Sequence, residues 1–226
     1  MKEEIRAIVQ NCGADVCGIA SIERFKDAPA GFSPTDIYKD CKSVIAFGVA
    51  LSKGLYEINP RLLYSHFNGE VLTSWIDIIA LRASEKIEEK FGVMAVPVPC
   101  DSPVDYWEEE TLTAKGMISM KHTAVQCGLG QLGKSTLLVN PKYGNRLTIG
   151  AILLNVEMES DPISENICLP GCHLCEEKCP VQAIQNGSVQ QKKCRPNTYG
   201  VSEGGYPIVN CNVCRNICPM KFGKKN

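Results

Sequence analysis

Residues 168–180, CLPGCHLCEEKCP, and residues 211–219, CNVCRNICP, share the spacing C-x2-C-x3-C-P. A cubane iron-sulfur cluster takes four thiolates. In a run of this kind three close cysteines wrap one cluster, while the cysteine before proline turns away to ligate another. Cys194 brings the tally to eight. The spacing then predicts two 4Fe-4S clusters, one held by Cys168, Cys172, Cys175 and Cys218 and the other by Cys179, Cys194, Cys211 and Cys214. Cys194 stands 17 residues ahead of Cys211 and is the ligand that the spacing fixes least.

Two other chemistries use the same letters. A pair of tetrathiolate zinc sites would need neither the repeated Cys-Pro nor ligands exchanged between loops. Cys168, Cys172 and Cys175 also have the spacing of the radical S-adenosylmethionine triad, but a barrel must follow that triad and only 51 residues follow Cys175. The tally needs no ninth ligand, so His173 reads as an exposed or supporting residue. His66 and His122 stand alone in helix-like stretches and read as structural. Cys12, Cys17, Cys41, Cys100 and Cys127 are scattered through the first 167 residues and read as free thiols.

The chain around this module is ordinary for a folded protein, with 226 residues, 44% of them apolar and 22% charged. It starts MKEEIRAIV, an amphipathic stretch without the apolar centre of a signal peptide. The longest apolar run, 44–51, is eight residues, against roughly 18 for a membrane span. A cytoplasmic protein with reduced thiols and no membrane contact is the expectation.

Net charge is −1, which argues against a general nucleic-acid binder. The charge is uneven, however. Residues 1–167 carry 16 basic and 22 acidic side chains, and residues 168–226 carry 8 and 3. The C-terminal excess reads as a solvated surface, as compensation for buried anionic clusters, or as a docking face for an acidic redox partner.

Periodicity divides the chain near residue 160. Residues 4–12 read as a short helix stopped by Gly13, 15–20 as a strand, and Ser33-Pro34 as a further helix start. Residues 43–51 and 93–98 have strand length and apolar content. Between them Leu72, Trp75, Ile76, Ile79, Ala83, Ile87 and Phe91 recur at steps of three and four, predicting a long core-facing helix that ends at Gly92. Residues 117–127 read as helix and 149–154 as a central strand. This intermingling predicts an α+β core over residues 1–160. From Asp161-Pro162 onward the sequence becomes loops of Cys, Pro and Gly, with one short helical stretch at 180–185, and reads as a second module, 161–226, packed on the core.

Residues 128–135, GLGQLGKS, satisfy both G-x-G-x-x-G and the phosphate-loop pattern. Each works only with a strand leading in and a helix leading out. Here a helix-like stretch leads in, and the strand-like 136–140 ends at Pro141. A tight turn bringing backbone amides and Lys134 to an anionic ligand or cofactor is expected, rather than a nucleotide triphosphate site.

The glycine loop, the strand after it and the paired cysteine groups together resemble epoxyqueuosine reductases and, more distantly, corrinoid-dependent reductive dehalogenases. The similar stretches are 121–141, 143–154 and the cysteine module to Pro219, with a fainter likeness through the long helix and 97–99. The resemblance implies a nitroreductase-like sheet-and-helix core able to hold cobalamin, or less readily flavin, with Gly128, Gly130, Gly133 and Lys134 at the cofactor. It implies a ferredoxin-like double-cluster module that passes electrons from a low-potential donor to a small-molecule or nucleoside substrate. It also places an acidic proton donor ahead of the glycine loop, where Asp101 and Asp105 both stand. Gln131 occupies a position where these proteins usually carry tryptophan. The reductases continue into a helical-repeat region for transfer RNA, whereas this chain stops eight residues after Cys218, so transfer RNA is not the expected substrate. A non-catalytic electron carrier or partner subunit without a corrinoid is the competing expectation.

Overall fold

The computed structural model describes residues 1–101, 104 and 106–224. Helix α1 (Lys2–Asn11) carries Glu3 and Glu4 in its first turn, where carboxylates favour the helix dipole, and buries Ile5 and Val9. It gives way at Cys12 to Gly13, whose φ of 117° few other residues adopt. Strand β1 (Val16–Ser21) pairs antiparallel with β2 (Ser43–Ala50), and β2 pairs antiparallel with a late strand, β4 (Leu147–Leu154). The short β3 (Ala95–Val98) closes the other side of β4, giving the order β1-β2-β4-β3.

Alternation along these strands sorts the core into two layers. Ile19, Ile45, Phe47, Ile152 and Leu154 face α1 and the long helix α2 (Leu72–Phe91), meeting Ile5, Val9, Ile76, Ile79, Ala83 and Ile87. Ala20, Val44, Ala46, Ala151 and Leu153 face the opposite way, toward Ile118, Ala124, Cys127 and Leu129 on and around α3 (Met120–Gln126). The two central strands are covered on both faces, which is why they read as continuous apolar runs. Gly18 lets α3 dock, since a Cβ there would lie 2.0 Å from the Cys127 carbonyl oxygen.

Helix α2 ends at Gly92, in the left-handed region with its N–H on the Glu88 carbonyl. Trp75 departs from its expected place. It is 47% exposed at the edge of the stripe, with its indole against Gly13 rather than in the core.

The helical expectation for 180–185 is corrected. Pro180 and Val181 form a turn, and Ile184–Gln185 is a strand paired with Ser188–Val189. Asn186 and Gly187 join them at φ 51° and 69°, the backbone twist that suits a two-residue hairpin. Three short helices lie elsewhere in this half: α4 (Leu174–Glu177), α5 (Gln191–Thr198) and α6 (Val213–Asn216). Each carries one of the eight proposed cluster ligands: Cys175, Cys194 and Cys214. Among the described residues no helix is long and apolar enough to cross a membrane.

Candidate functional site

All thirteen cysteines are free. Burial raises the Cys218 thiol above its ordinary pKa, and the neighbouring thiols of Cys168 and Cys172 add to this. Cys175 is likewise raised by burial, then by Glu176, Cys218 and Cys168. Cys168, Cys172, Cys175 and Cys218 are therefore electrostatic neighbours, although 43 residues separate Cys175 from Cys218. Cys214 is pushed up to about 11 by burial and by Cys194 and Cys211, against the opposing charge of Arg215. Cys179 is buried with Ala183 and Ile184, and Cys175, Cys194 and Cys214 pack around that cluster. Among the described residues no group of three or more His, Cys, Asp or Glu is close enough to hold a single metal ion.

The glycine motif folds as a hairpin, Gln131–Leu132 against Leu138–Val139. Its tip closes through Gly133 N–H to the Leu137 carbonyl and Thr136 N–H to the Gly133 carbonyl. The glycines permit close approach. A Cβ at Gly130 would lie 2.6 Å from the Val139 oxygen, and at Gly128, where φ is 76°, 2.3 Å from the Pro162 oxygen. At Gly133 it would lie 3.6 Å from Cys168 Sγ, so the hairpin tip sits on the first cysteine loop. Gln131 donates from Nε2 to the Ser164 carbonyl at 3.0 Å, tying the same hairpin to the segment that leads into Cys168.

Lys134, expected at a cofactor, turns to the protein instead. Its Nζ donates to the carbonyls of Leu169 at 3.0 Å, Pro170 at 2.6 Å and Cys172 at 2.9 Å. An ammonium has three protons, and all three are taken. The phosphate-loop pattern gave no hint of this target, because the carbonyls lie 35 to 38 residues further along the chain.

Beside the second group stand two cations, Arg215 and Lys121. Arg215 donates from Nη1 to the Asn145 carbonyl at 3.0 Å, an oxygen that also accepts the Tyr56 hydroxyl at 3.2 Å. Burial opposes its charge, yet Tyr64, Tyr56 and Cys214 raise its pKa overall. Burial and the adjacent Arg215 lower Lys121. Among the described residues neither cation has a carboxylate within 4.0 Å. Asn212, between Cys211 and Cys214, is buried, and its Nδ2 has no hydrogen-bond partner there. A cavity of about 520 Å³ abuts Cys211 and Asn212.

The three histidines engage neighbours other than the thiols. His173 Nδ1 lies 2.5 Å from Glu176 Oε2, His66 Nδ1 2.8 Å from Glu70 Oε2, and His122 Nδ1 2.7 Å from Ser119 Oγ. Asp101 is exposed directly after Cys100, whose N–H is held by Asp77 Oδ1 at 2.9 Å. Burial and the nearby Asp77 and Asp101 push the Cys100 thiol up to about 12. Asp105, the alternative proton donor, lies outside the described residues.

No protein-family model matches the chain. Among curated proteins it is 24% identical over 255 residues to the epoxyqueuosine reductase of Bacillus cereus, covering 99% of this chain and 65% of that one. It is 30% identical over 117 residues to the epoxyqueuosine reductase of a Synechocystis species, covering 46% and 40%. The chain thus spans less than two thirds of the length of these relatives. Among solved structures, the epoxyqueuosine reductase of Streptococcus thermophilus superposes with a TM-score of 0.69 at 18% identity, over 100% of this chain and 67% of that one. Another epoxyqueuosine reductase, solved with an epoxyqueuosine-modified transfer RNA stem loop, gives 0.68 at 18% identity over 100% and 66%. A reductive dehalogenase whose structure suggests a mechanism for B12-dependent dehalogenation gives 0.54 at 17% identity over 94% and 28%. The relative bound to a stem loop stands against setting transfer RNA aside, an expectation that rested on where this chain stops. The chain is thus similar in sequence along nearly its whole length to epoxyqueuosine reductases, at 24% identity, and similar in fold to them and to a reductive dehalogenase.

Proposed function

We propose that this protein is an iron-sulfur oxidoreductase resembling epoxyqueuosine reductase, with residues 1–160 forming the substrate-bearing core and residues 161–226 a ferredoxin-like module. Two 4Fe-4S clusters would supply single-electron transfer to a corrinoid or other acceptor at the core. The observation that supports the reading is that Cys218 lies beside Cys168 and Cys172, up to 50 residues away, while Cys214 lies beside Cys194 and Cys211 and packs with Cys194 near Cys179.

The donor set suits clusters on two further counts. Arg215, from the basic C-terminal excess, and Lys121, from the core, supply positive charge beside the second group, without a carboxylate within 4.0 Å among the described residues to neutralise it. Asn212 Nδ2 is a buried donor in search of an acceptor, and cluster sulfur is one.

For the substrate, a nucleoside in transfer RNA is the class that the solved relative suggests. An exposed patch favours it. The Arg195 guanidinium stacks on Trp107 and Tyr199, with ring centroids 5.1 and 5.0 Å away, and both rings stay open to solvent. Aromatic and guanidinium planes of this kind receive unstacked bases.

Anaerobic reconstitution tests the reading. About eight irons and eight acid-labile sulfides per chain are expected, together with low-temperature electron paramagnetic resonance of two reduced clusters. Zinc at about two per chain without sulfide would remove the proposal. Corrin absorption bands after incubation with cobalamin support the enzyme, and their absence from a fully clustered protein favours the electron carrier.

A further inference from the structure

We propose that Lys134 is a positioning residue for the cluster of Cys168, Cys172, Cys175 and Cys218, holding the first cysteine loop so that its peptide N–H groups point at cluster sulfur. This rests on the two-cluster reading above and adds a residue that the cysteine spacing does not contain.

Lys134 Nζ draws the carbonyls of Pro170 and Cys172 to one side of the loop. A trans peptide is planar, with its C=O and the following N–H pointing in opposite directions. The N–H groups of Gly171 and His173 therefore point away from Lys134. Among the described residues neither has a protein acceptor. The Leu169 carbonyl, also on Lys134, accepts Cys172 N–H at 3.1 Å, which locks the turn between the first two cysteines. Gly133 sets the hairpin backbone beside Cys168, since a Cβ there would lie in van der Waals contact with its Sγ at 3.6 Å and its Cβ at 3.8 Å. One ammonium thus fixes the peptide planes across 169–173 and places its charge behind the same loop. Hydrogen bonds to sulfur and nearby positive charge both favour the reduced, more anionic cluster, so both raise its reduction potential.

Redox titration followed by electron paramagnetic resonance, on the full chain with both clusters reconstituted, tests this. Lys134→Met is expected to lower the potential of one cluster and leave the other unmoved. Lys134→Arg, which keeps the charge and can still reach the carbonyls, should recover most of that shift. If Lys134→Met loads only half the iron of the parent, Lys134→Gln, which keeps a donor without charge, replaces it in the titration. Two unmoved potentials, or equal shifts in both clusters, would overturn the role given to Lys134. A parent protein lacking iron and sulfide would instead remove the cluster reading beneath it, a failure that the metal analysis registers before any variant is compared.

Discussion

Arg6 Nη2 donates to both carboxylate oxygens of Asp161 at 3.0 Å, joining the first helix to a residue 155 positions further along the chain. The same carboxylate takes Lys2 Nζ at 2.8 Å and the Ile19 N–H at 2.8 Å, while Asp161 N–H returns to the Ile19 carbonyl at 2.8 Å. The point where periodicity ends in the sequence is thereby clasped to α1 and β1.

That clasp makes stability depend on acid. Burial alone would raise the Asp161 pKa, but Lys2, the Ile19 N–H and Arg6 hold it below the ordinary carboxylate value. A group whose pKa is depressed on folding contributes fully above its unfolded value, about 3.9, and loses that contribution as pH falls through the folded value. Asp161→Asn should cost about 1–3 kcal/mol near neutral pH. It should also flatten the acid limb of a urea-midpoint profile, and an unchanged limb would contradict the assignment.

Crossed ligation predicts a specific loss. Cys218 follows Cys211 and Cys214 in sequence yet neighbours Cys168 and Cys172 in space. Cys218→Ala should disturb the cluster of Cys168, Cys172 and Cys175 and spare the one that includes Cys211 and Cys214. Combining it with Cys211→Ala should abolish the remaining resonance, and a Cys218→Ala protein that loses only the second signal would refute the crossing.

Gly128 should resist substitution for reasons of backbone. Its positive φ disfavours any side chain, and the Pro162 oxygen occupies the place of a Cβ. Gly128→Ala is expected to destabilise by about 1–3 kcal/mol, read as a lower urea midpoint. A neutral result would mean that 161–162 can move off the hairpin.

Two isoleucines on α2 separate core from surface. Ile76 is 0% exposed beneath the sheet, and Ile78 is 52% exposed. Ile76→Ala should cost about 2–5 kcal/mol, whereas Ile78→Ala should stay within about 0.5 kcal/mol. Comparable losses in thermal unfolding would show that the exposed face is covered in solution.

By itself the sequence determined the elements whose signal is local. The apolar period of α2, its stop at Gly92 and the strand runs read at 43–51 and 149–154 follow from which neighbours share a face, and that needs only residues two to four apart. Cysteine spacing belongs to the same kind, since three thiols within eight residues occupy one loop whatever the rest of the chain does. The helix expected at 180–185 is instead a hairpin at 184–189, because Asn186 and Gly187 take the left-handed turn conformation and outweigh the short helical pattern before them. Trp75 stands at the edge of the stripe, where a period of 3.6 leaves its side undecided, and the tertiary structure sets its indole against Gly13. The tertiary structure alone decided the rest. It turned Lys134 from a supposed ligand site to the carbonyls of the cysteine loop, brought Cys218 beside Cys168, and set Asp161 on Arg6. Each of these is a contact between groups 35 or more residues apart. A charge or a thiol takes whichever partner the folded backbone brings within about 3 Å, and no local pattern encodes which backbone that is.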